Sequence, residues 1–253
     1  MFSVRWCLLF LGTIGFSFAA RFADQVRKCN LDNRASLNAC FTRQMEDLRP
    51  FMTTGIPELN VPVLDPMVIP VINFRQPTGP VSINAKFNQV QVKGMAKFTD
   101  AQVRVDPDRM RMDVFLRIPE LRSTGNYEIN GNVFVLPVSG TGSSWSILNG
   151  VTATGGSDLE IVGRRPNEFL RAKNTQINFK IDKTRIRLNN LFNGDQILGD
   201  TVNNFLNDNS EDVLDEVRPE ISKILNDFVQ KVLNDGLSSL PVDKFLTSSR
   251  RRA

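Results

Sequence analysis

The chain has 253 residues, of which 41% are hydrophobic, and its 31 basic and 27 acidic residues give a formal charge of +4. It contains no histidine, which excludes Ser-His-Asp and Cys-His catalysis, histidine-ligated zinc and a histidine pH switch. Four of the basic residues lie at the two ends of the chain, so the other 27 balance the acidic residues and offer no clustered basic face to nucleic acid.

The first residues have the order of a signal peptide. Arg5 precedes an apolar run over residues 6–16, and Ser17-Phe18-Ala19 forms a small-x-small cleavage site. We expect cleavage after Ala19 and a secreted, extracellular protein. The apolar run is shorter than the ~20 residues that cross a bilayer, so we expect no stable membrane insertion of the mature chain. Residues 20–247 should form one domain, followed by a disordered basic tail over residues 248–253.

A helix and one disulfide are predicted near the N-terminus. With the signal peptide removed, Cys29 and Cys40 are the remaining cysteines, and an even pair in a secreted protein predicts a disulfide. Asp32 or Asn33 can cap a helix that Pro50 should kink or end. The apolar residues of this helix follow three-to-four spacing: Leu37, Cys40, Phe41, Met45, Leu48 and Met52.

Residues 55–70 contain four prolines with apolar residues between them. Each proline fixes its own φ and favours an extended predecessor, so this segment is predicted to be a polyproline-II-like connector that no helix crosses. It is too apolar for an exposed linker. We expect Ile56 and Leu64 to press against the interior.

The apolar period changes to two over residues 68–188. The clearest alternation runs over Met110, Met112, Val114, Leu116 and Ile118. Turn residues recur at short intervals, and helical segments for parallel crossovers are too few. This pattern predicts an antiparallel meander of long strands with one apolar face.

The period then returns to 3.6. One apolar stripe starts at Ile197, and a longer one over residues 212–234 predicts a helix of about 35 Å. A helix with so wide an apolar face, placed after a one-faced sheet, favours an α+β fold in which the sheet wraps the helix.

Several spaced motifs resemble those of the insect takeout and juvenile-hormone-binding protein family, in order and over nearly all of the mature chain. The motifs that carry the resemblance are Gly55-Ile-Pro-Glu-Leu-x-Val-Pro-x-Leu-Asp-Pro66 after the cysteine pair, Tyr127-x-Ile129-x-Gly131, Leu136-Pro137-x-x-Gly140-x-Gly142, Asn190-Leu-Phe-Asn-Gly-Asp195, Leu198-Gly199, Asn203-x-Phe205-Leu-Asn207 and Pro241-x-x-x-Phe245.

The resemblance implies a strongly curved antiparallel β-sheet rolled around a long C-terminal helix, the tubular lipid-binding or super-roll architecture, with an apolar tunnel inside. It also implies non-covalent carriage of a hydrophobic small molecule, such as a juvenile-hormone-like isoprenoid, a fatty acid or a related lipid, and a part in circadian or feeding regulation. One disulfide favours the takeout-like branch, because the haemolymph juvenile hormone carriers characteristically have a second.

Apolar residues of the inner face are the candidates for ligand contact, and Tyr127, the sole tyrosine, could orient a ligand's polar group. The other candidates are Phe87, Met110, Met112, Val114, Leu116, Trp145, Phe205, Phe228, Val232, Ile56 and Leu64. A closed core uses the same residue types, and a tyrosine bonded to backbone is an equal alternative.

We expect a monomer that is not an enzyme and that needs no cofactor, metal or nucleic acid. Two other classes stay open. A carboxylate hydrolase would place two acidic residues in a cleft, and a secreted interaction or membrane-active module would have a filled core and no ligand.

Overall fold

The computed structural model describes residues 26–164 and 166–247, so the expected signal peptide and basic tail lie outside the described residues. The helices and strands in chain order are β1 (Cys29–Asn30), α1 (Arg34–Asp47), β2 (Met67–Gln76), β3 (Val81–Lys93), β4 (Asp100–Asp106), β5 (Arg111–Val133), β6 (Leu136–Arg164), β7 (Asn167–Leu188), α2 (Gln196–Asp208), α3 (Ser210–Leu237), α4 (Val242–Phe245) and β8 (Leu246–Thr247).

The N-terminal helix starts where one of the two predicted caps lies. The side chain of Asn33 accepts a hydrogen bond from the Ser36 backbone N–H at 3.0 Å, which satisfies one of the free donors of the first turn. The predicted disulfide between Cys29 and Cys40 is confirmed. Because β1 also pairs in parallel with β8, the first and last described segments are held together.

The proline-spaced segment is more folded than an extended connector. Pro57–Leu59 forms a 3-10 turn, and Asn60 follows in the left-handed region at φ 55°, so that Ile56 pairs with Val61. Ile56 is buried, as predicted, whereas Leu64 is only half-buried. The predicted connector also ends earlier than expected, because its last proline lies inside β2, at an edge of the sheet where a missing N–H is tolerated.

The predicted antiparallel meander is confirmed. The sheet has the order β2-β3-β5-β6-β7, and all its neighbouring strands run antiparallel. The first half of β5 pairs with β4 and the second half pairs with β3, so one edge of β5 has two partners in succession. The sheet curls, and α3 contacts both of its outermost strands, β2 and β7.

The inner face of the sheet is the face that packs against α2 and α3. Tyr127, Ile129 and Leu188 form one core cluster there with Val202 and Leu206 of α2, and part of the apolar stripe of α3 packs against it. A second cluster joins the chain ends around Leu37 and Phe245. A third lies under α1 around Phe98 and Ile118.

Side chains on β5 change their alternation near Pro119. Ile118 and Leu121 belong to the same core cluster although they are three residues apart, and so do Leu148 and Val151 on β6. In a regular strand, residues three apart point to opposite faces. Even positions therefore point inward on β5 before Pro119, and odd positions point inward after it.

The free edge of β7 is covered by amide side chains of the two C-terminal helices. Asn203 and Asn207 each accept from the backbone N–H and donate to the C=O of one residue, Leu188 and Ile186 respectively. Further along, Asn226, Gln230 and Asn234 accept from the backbone N–H of Ile177, Thr175 and Ala172 at 2.7, 3.2 and 2.7 Å. We call these five side chains the amide ladder.

The spacing of the amide ladder follows from the two backbone repeats. Four residues of helix rise about 6.0 Å, and two residues of strand rise about 6.6 Å. A helical side chain at every fourth position therefore meets the outward backbone groups at every second position of an antiparallel strand. The exception lies at the register shift of β7, where Gln230 and Asn234 bond to Thr175 and Ala172, three residues apart. The same device covers the free edge of β4, where Asn38 and Thr42 of α1 accept from the N–H of Val105 and Val103.

The amide ladder should carry a large share of the stability. Asn203 is 3% exposed, so Asn203→Leu leaves the N–H and C=O of Leu188 buried without partners. We expect it to lower the free energy of unfolding by about 3 kcal/mol, measured by urea denaturation. The matched control is Asn204→Leu, at the exposed next position of the same helix, which should change stability by less than about 0.5 kcal/mol. Equal losses in the two variants would contradict the role of the ladder.

Candidate functional site

The inner positions of the two longest strands carry no charged side chain. On β5 they are Met112, Val114, Leu116, Ile118, Leu121, Ser123, Gly125, Tyr127, Ile129, Gly131 and Val133, and on β6 they are Val138, Gly140, Gly142, Ser144, Ser146, Leu148, Val151, Ala153, Gly155, Ser157 and Leu159. A charged group would lose its hydration here without a partner. The inner face is therefore suited to an uncharged, apolar surface.

Small residues occupy the middle of this face. Ser123 and Ser146 lie opposite each other with their hydroxyl oxygens 2.7 Å apart, and the hydroxyl of Ser144 donates to the Gly125 carbonyl oxygen at 3.3 Å. Their polar atoms are satisfied within the sheet, and their short side chains leave space above it. Sequence reasoning missed these residues, although serine and glycine at alternate positions of a strand were the available signal.

The long helix that faces this surface is not fully packed against it. None of the 28 residues of α3 is buried, and Phe228 and Val232 are half-buried. Phe205 of α2 is also half-buried and packs edge-to-face on Phe134, with ring centroids 6.1 Å apart. An apolar helix face that keeps partial accessibility beneath a curled sheet indicates incomplete filling of the interior.

Four of the sheet residues that the sequence nominates for ligand contact do share the inner face. Met112, Val114 and Leu116 are alternate residues of β5 on this face, and all three are half-buried. Phe87 lies beyond the middle of the sheet, paired with Ile72 and Tyr127. Their inward direction follows from register alone, so contact with a ligand stays a prediction.

Two nominated residues lie elsewhere. Trp145 pairs with Thr124 and Arg187, and its two neighbours pair with inner residues of β7, so its side chain points to the outer face, unlike our expectation. The reason is that the inward and outward order of side chains on β6 reverses at Gly150. Odd positions point inward after this glycine, and even positions point inward before it. Met110 lies in the turn before β5 at φ 48° and packs on the cluster of Cys29 and Leu37, away from the middle of the sheet.

Ile56 and Leu64 both lie outside the sheet, in the proline-spaced segment that contacts α3. The Val61 side chain of this segment lies against Gly236 of α3, and the Leu64 backbone N–H donates to the Met52 carbonyl oxygen at 2.8 Å. The segment therefore covers the C-terminal end of α3. Whether Ile56 or Leu64 contacts a ligand stays a prediction.

The hydroxyl of Tyr127 is engaged with the backbone. It donates to the Asn189 carbonyl oxygen at 2.8 Å, and the residue is 1% exposed. Burial raises the pKa of Tyr127 from its ordinary value of 10.0 to about 12. The sequence left two roles open for Tyr127, orientation of a ligand and a structural bond to the backbone. The contacts favour the structural role, because the phenol has one proton and donates it to the Asn189 carbonyl oxygen.

Two further observations bear on alternative chemistry. Within residues 26–164 and 166–247, no three acidic or cysteine side chains come together as a metal site would require. In the same ranges, every helix is too short or too polar to cross a bilayer.

Comparison with known proteins agrees with the motifs. The family model described as haemolymph juvenile hormone binding protein matches residues 7–247. The circadian clock-controlled protein daywake of Drosophila melanogaster is 22% identical over 236 residues, covering 88% of this chain and 88% of that protein. Its counterpart in Drosophila yakuba is 22% identical over 262 residues, covering 96% and 97%.

Among solved structures, the crystal structure of Epiphyas postvittana Takeout 1 aligns with a TM-score of 0.76 at 23% identity, over 88% of this chain and 100% of that chain. At this level of identity the likeness establishes the fold. The predicted architecture, a strongly curled antiparallel sheet with a long C-terminal helix, is therefore confirmed.

The phenol of Tyr127 offers a direct test of its surroundings. Because it is the sole tyrosine, the ultraviolet absorbance of its phenolate reports this group alone, and we expect ionisation of the folded protein near pH 12. The folded pKa is raised, so the protonated phenol contributes stability below about pH 10 that is lost as the pH rises from about 10 towards about 12.

The variant Tyr127→Phe should be less stable than wild type by about 1–2 kcal/mol at pH 8, because the Asn189 carbonyl loses its donor. This difference should shrink by about 1 kcal/mol by pH 11, since only the wild type gains from ionising its unfolded state. A phenolate signal that appears near pH 10 in the folded protein would contradict the buried hydrogen bond.

Proposed function

Because the chain belongs to the haemolymph juvenile hormone binding protein family, we propose that it is a secreted carrier that binds a hydrophobic small molecule non-covalently. The binding space is the interior between the inner face of the sheet and α3. The family is one of binding proteins, and the proposed activity requires no reaction at the bound molecule.

The observation that carries the proposal is the lack of charge at the inner positions of β5 and β6, together with a helix whose apolar side chains are only half-buried. Burial of each CH₂ group contributes about 0.8 kcal/mol, so a chain of about ten to fifteen carbons gains roughly 8–12 kcal/mol. This gain can offset the loss of translational and rotational freedom on association. No charged anchor is needed.

The uncharged inner positions of β5 and β6 also limit the class of ligand that can bind. An ionised carboxylate has no cationic partner at the inner positions of β5 and β6, so a fatty acid would have to keep its head at an opening, where water reaches it. A neutral isoprenoid or related uncharged lipid fits the middle of the face without that restriction. The half-buried residues proposed to contact it are Phe87, Met112, Val114, Leu116, Phe205, Phe228 and Val232.

Secretion is part of the proposal. It rests on the order of the first residues, which lie outside the described range, and on the disulfide between Cys29 and Cys40, a bond that persists in oxidising compartments. A single, monomeric domain over residues 20–247 remains our expectation.

The direct test is native mass spectrometry of the secreted protein before and after organic extraction, combined with displacement of a fluorescent fatty-acid probe. We expect an adduct with the mass of a lipid that extraction removes, and saturable uptake of the probe by the extracted protein. If no lipid is recovered and the probe does not bind, the carrier proposal is wrong and a filled core without ligand is favoured.

Two substitutions at adjacent positions test whether the probe binds on the inner face of the sheet. Ser146→Phe places a large ring in the middle of the inner face, whereas Ile147→Phe changes the neighbouring side chain on the outer face. We expect the first to lower probe affinity by at least about tenfold, because the ring fills the space that the chain would occupy. The second should leave affinity within about twofold.

Circular dichroism and thermal unfolding of both variants check that each is folded. If Ser146→Phe unfolds the protein, the milder Ala153→Leu on the same face replaces it. Equal affinity in folded inner and outer variants would contradict an internal binding space.

A further inference from the structure

A cleft lies on the outer face of the sheet, across β4, β5, β6 and β7. Its volume is about 420 Å³, which is within the range of small-molecule sites. Two rows of paired residues form most of it, and Arg111 together with Val114 and Gly155, which lie between the rows on β5 and β6, completes the lining. Gln102, Phe115, Thr154 and Asn178 make one row, and Arg104, Asp113, Gly156 and Gln176 make the next.

One wall of the cleft is an ion pair that lies across Gly156. Arg111 bonds to Asp113 at 3.0 Å and to Asp158 at 3.1 Å. A Cβ atom on Gly156 would lie 2.2 Å from the Arg111 guanidinium and 2.6 Å from the Asp113 carboxylate. A side chain at this position would therefore shift the ends of the Arg111 and Asp113 side chains.

The remaining polar groups of the cleft are free to bind. Within the described residues, the side chains of Gln102, Gln176 and Asn178 make no hydrogen bond, and the Arg104 guanidinium has no acidic partner. Between them, Phe115 is half-buried and presents an apolar surface at the centre of the cleft. Amides at the rim can each donate and accept.

This combination points to one ligand class. Two arginines and one acidic residue line the cleft, and Asp158 lies beside it. Both carboxylates are paired with Arg111, so a metal ion finds little to bind, and Arg104 offers a polyanion only a single cation. The polar rim disfavours a hydrocarbon chain. A neutral sugar has hydroxyls that both donate and accept, and its C–H face can pack on an aromatic ring.

We infer that this outer cleft is a binding site for a neutral oligosaccharide. It lies on the opposite face of the sheet from the interior, so it does not depend on the carrier function. A protein with both sites can hold a hydrophobic molecule while it is bound to a glycan.

The test is an NMR titration of the isotope-labelled protein with chitotetraose, cellotetraose and maltotetraose, each up to about 10 mM, a range that detects dissociation constants near 1 mM. We expect at least one sugar to shift the side-chain amide signals of Gln102, Gln176 and Asn178. Absence of any shift with all three sugars would overturn the inference.

Variants then locate the site. Phe115→Ala should weaken binding by about tenfold through loss of the aromatic surface, and Gln176→Ala should weaken it without altering the sheet. The control is Asn126→Ala, at an exposed outer position of β5 beyond the cleft, which should leave binding unchanged. An equal loss in the control would place binding elsewhere and contradict the inference.

A heparin tetrasaccharide tests the charge argument. If it binds better than every neutral sugar, in a salt-dependent way that Arg104→Ala abolishes, the cleft is an anion site and the assignment to neutral sugars is wrong. If the neutral sugars bind and the heparin tetrasaccharide does not, the assignment stands.

Discussion

The free edge of β7 must find hydrogen-bond partners, and the architecture depends on how it does so. An uncovered edge would expose a row of backbone N–H and C=O groups to pairing with another chain. Here the amide ladder of α2 and α3 meets that row directly, with Asn203 and Asn207 each bonding both groups of one residue. The match is possible because four residues of helix rise by nearly the same distance as two residues of strand, and it is made near both ends of β7.

This mode of attachment explains why the interior can remain partly open. A helix that is held only by apolar packing must press its stripe closely against the sheet. Because α3 is fixed by polar bonds at the sheet edge, its apolar side chains can stay half-buried. The small residues at the middle of β5 and β6, such as Ser123 and Ser146, add space at the same level. Together these features suit a carrier, which must bind and release its ligand without unfolding.

The two faces of the sheet have opposite chemistry, and both are set by strand alternation. Inner positions on β5 and β6 are uncharged, while outer positions hold the ion pairs and free amides of the cleft around Phe115. The assignment of faces from sequence succeeded for Met112, Val114 and Leu116, since regular alternation continues through them. It failed for Trp145, because the inward and outward alternation of side chains reverses near Gly150. The serines around Trp145 show no apolar alternation that would reveal this reversal in the sequence.

The sequence by itself determined the local elements and the family. A helix cap at Asp32 or Asn33, the cysteine pair, the period-two region and the long C-terminal helix could be predicted, because each rests on residues near in the chain or on recurring motifs. Only the tertiary structure decided the amide ladder, the bond from Tyr127 to Asn189 and the outer cleft. These features join residues that are far apart in the chain. Which residues meet depends on strand register and bulges, and these are fixed only when the strands pair in the folded protein.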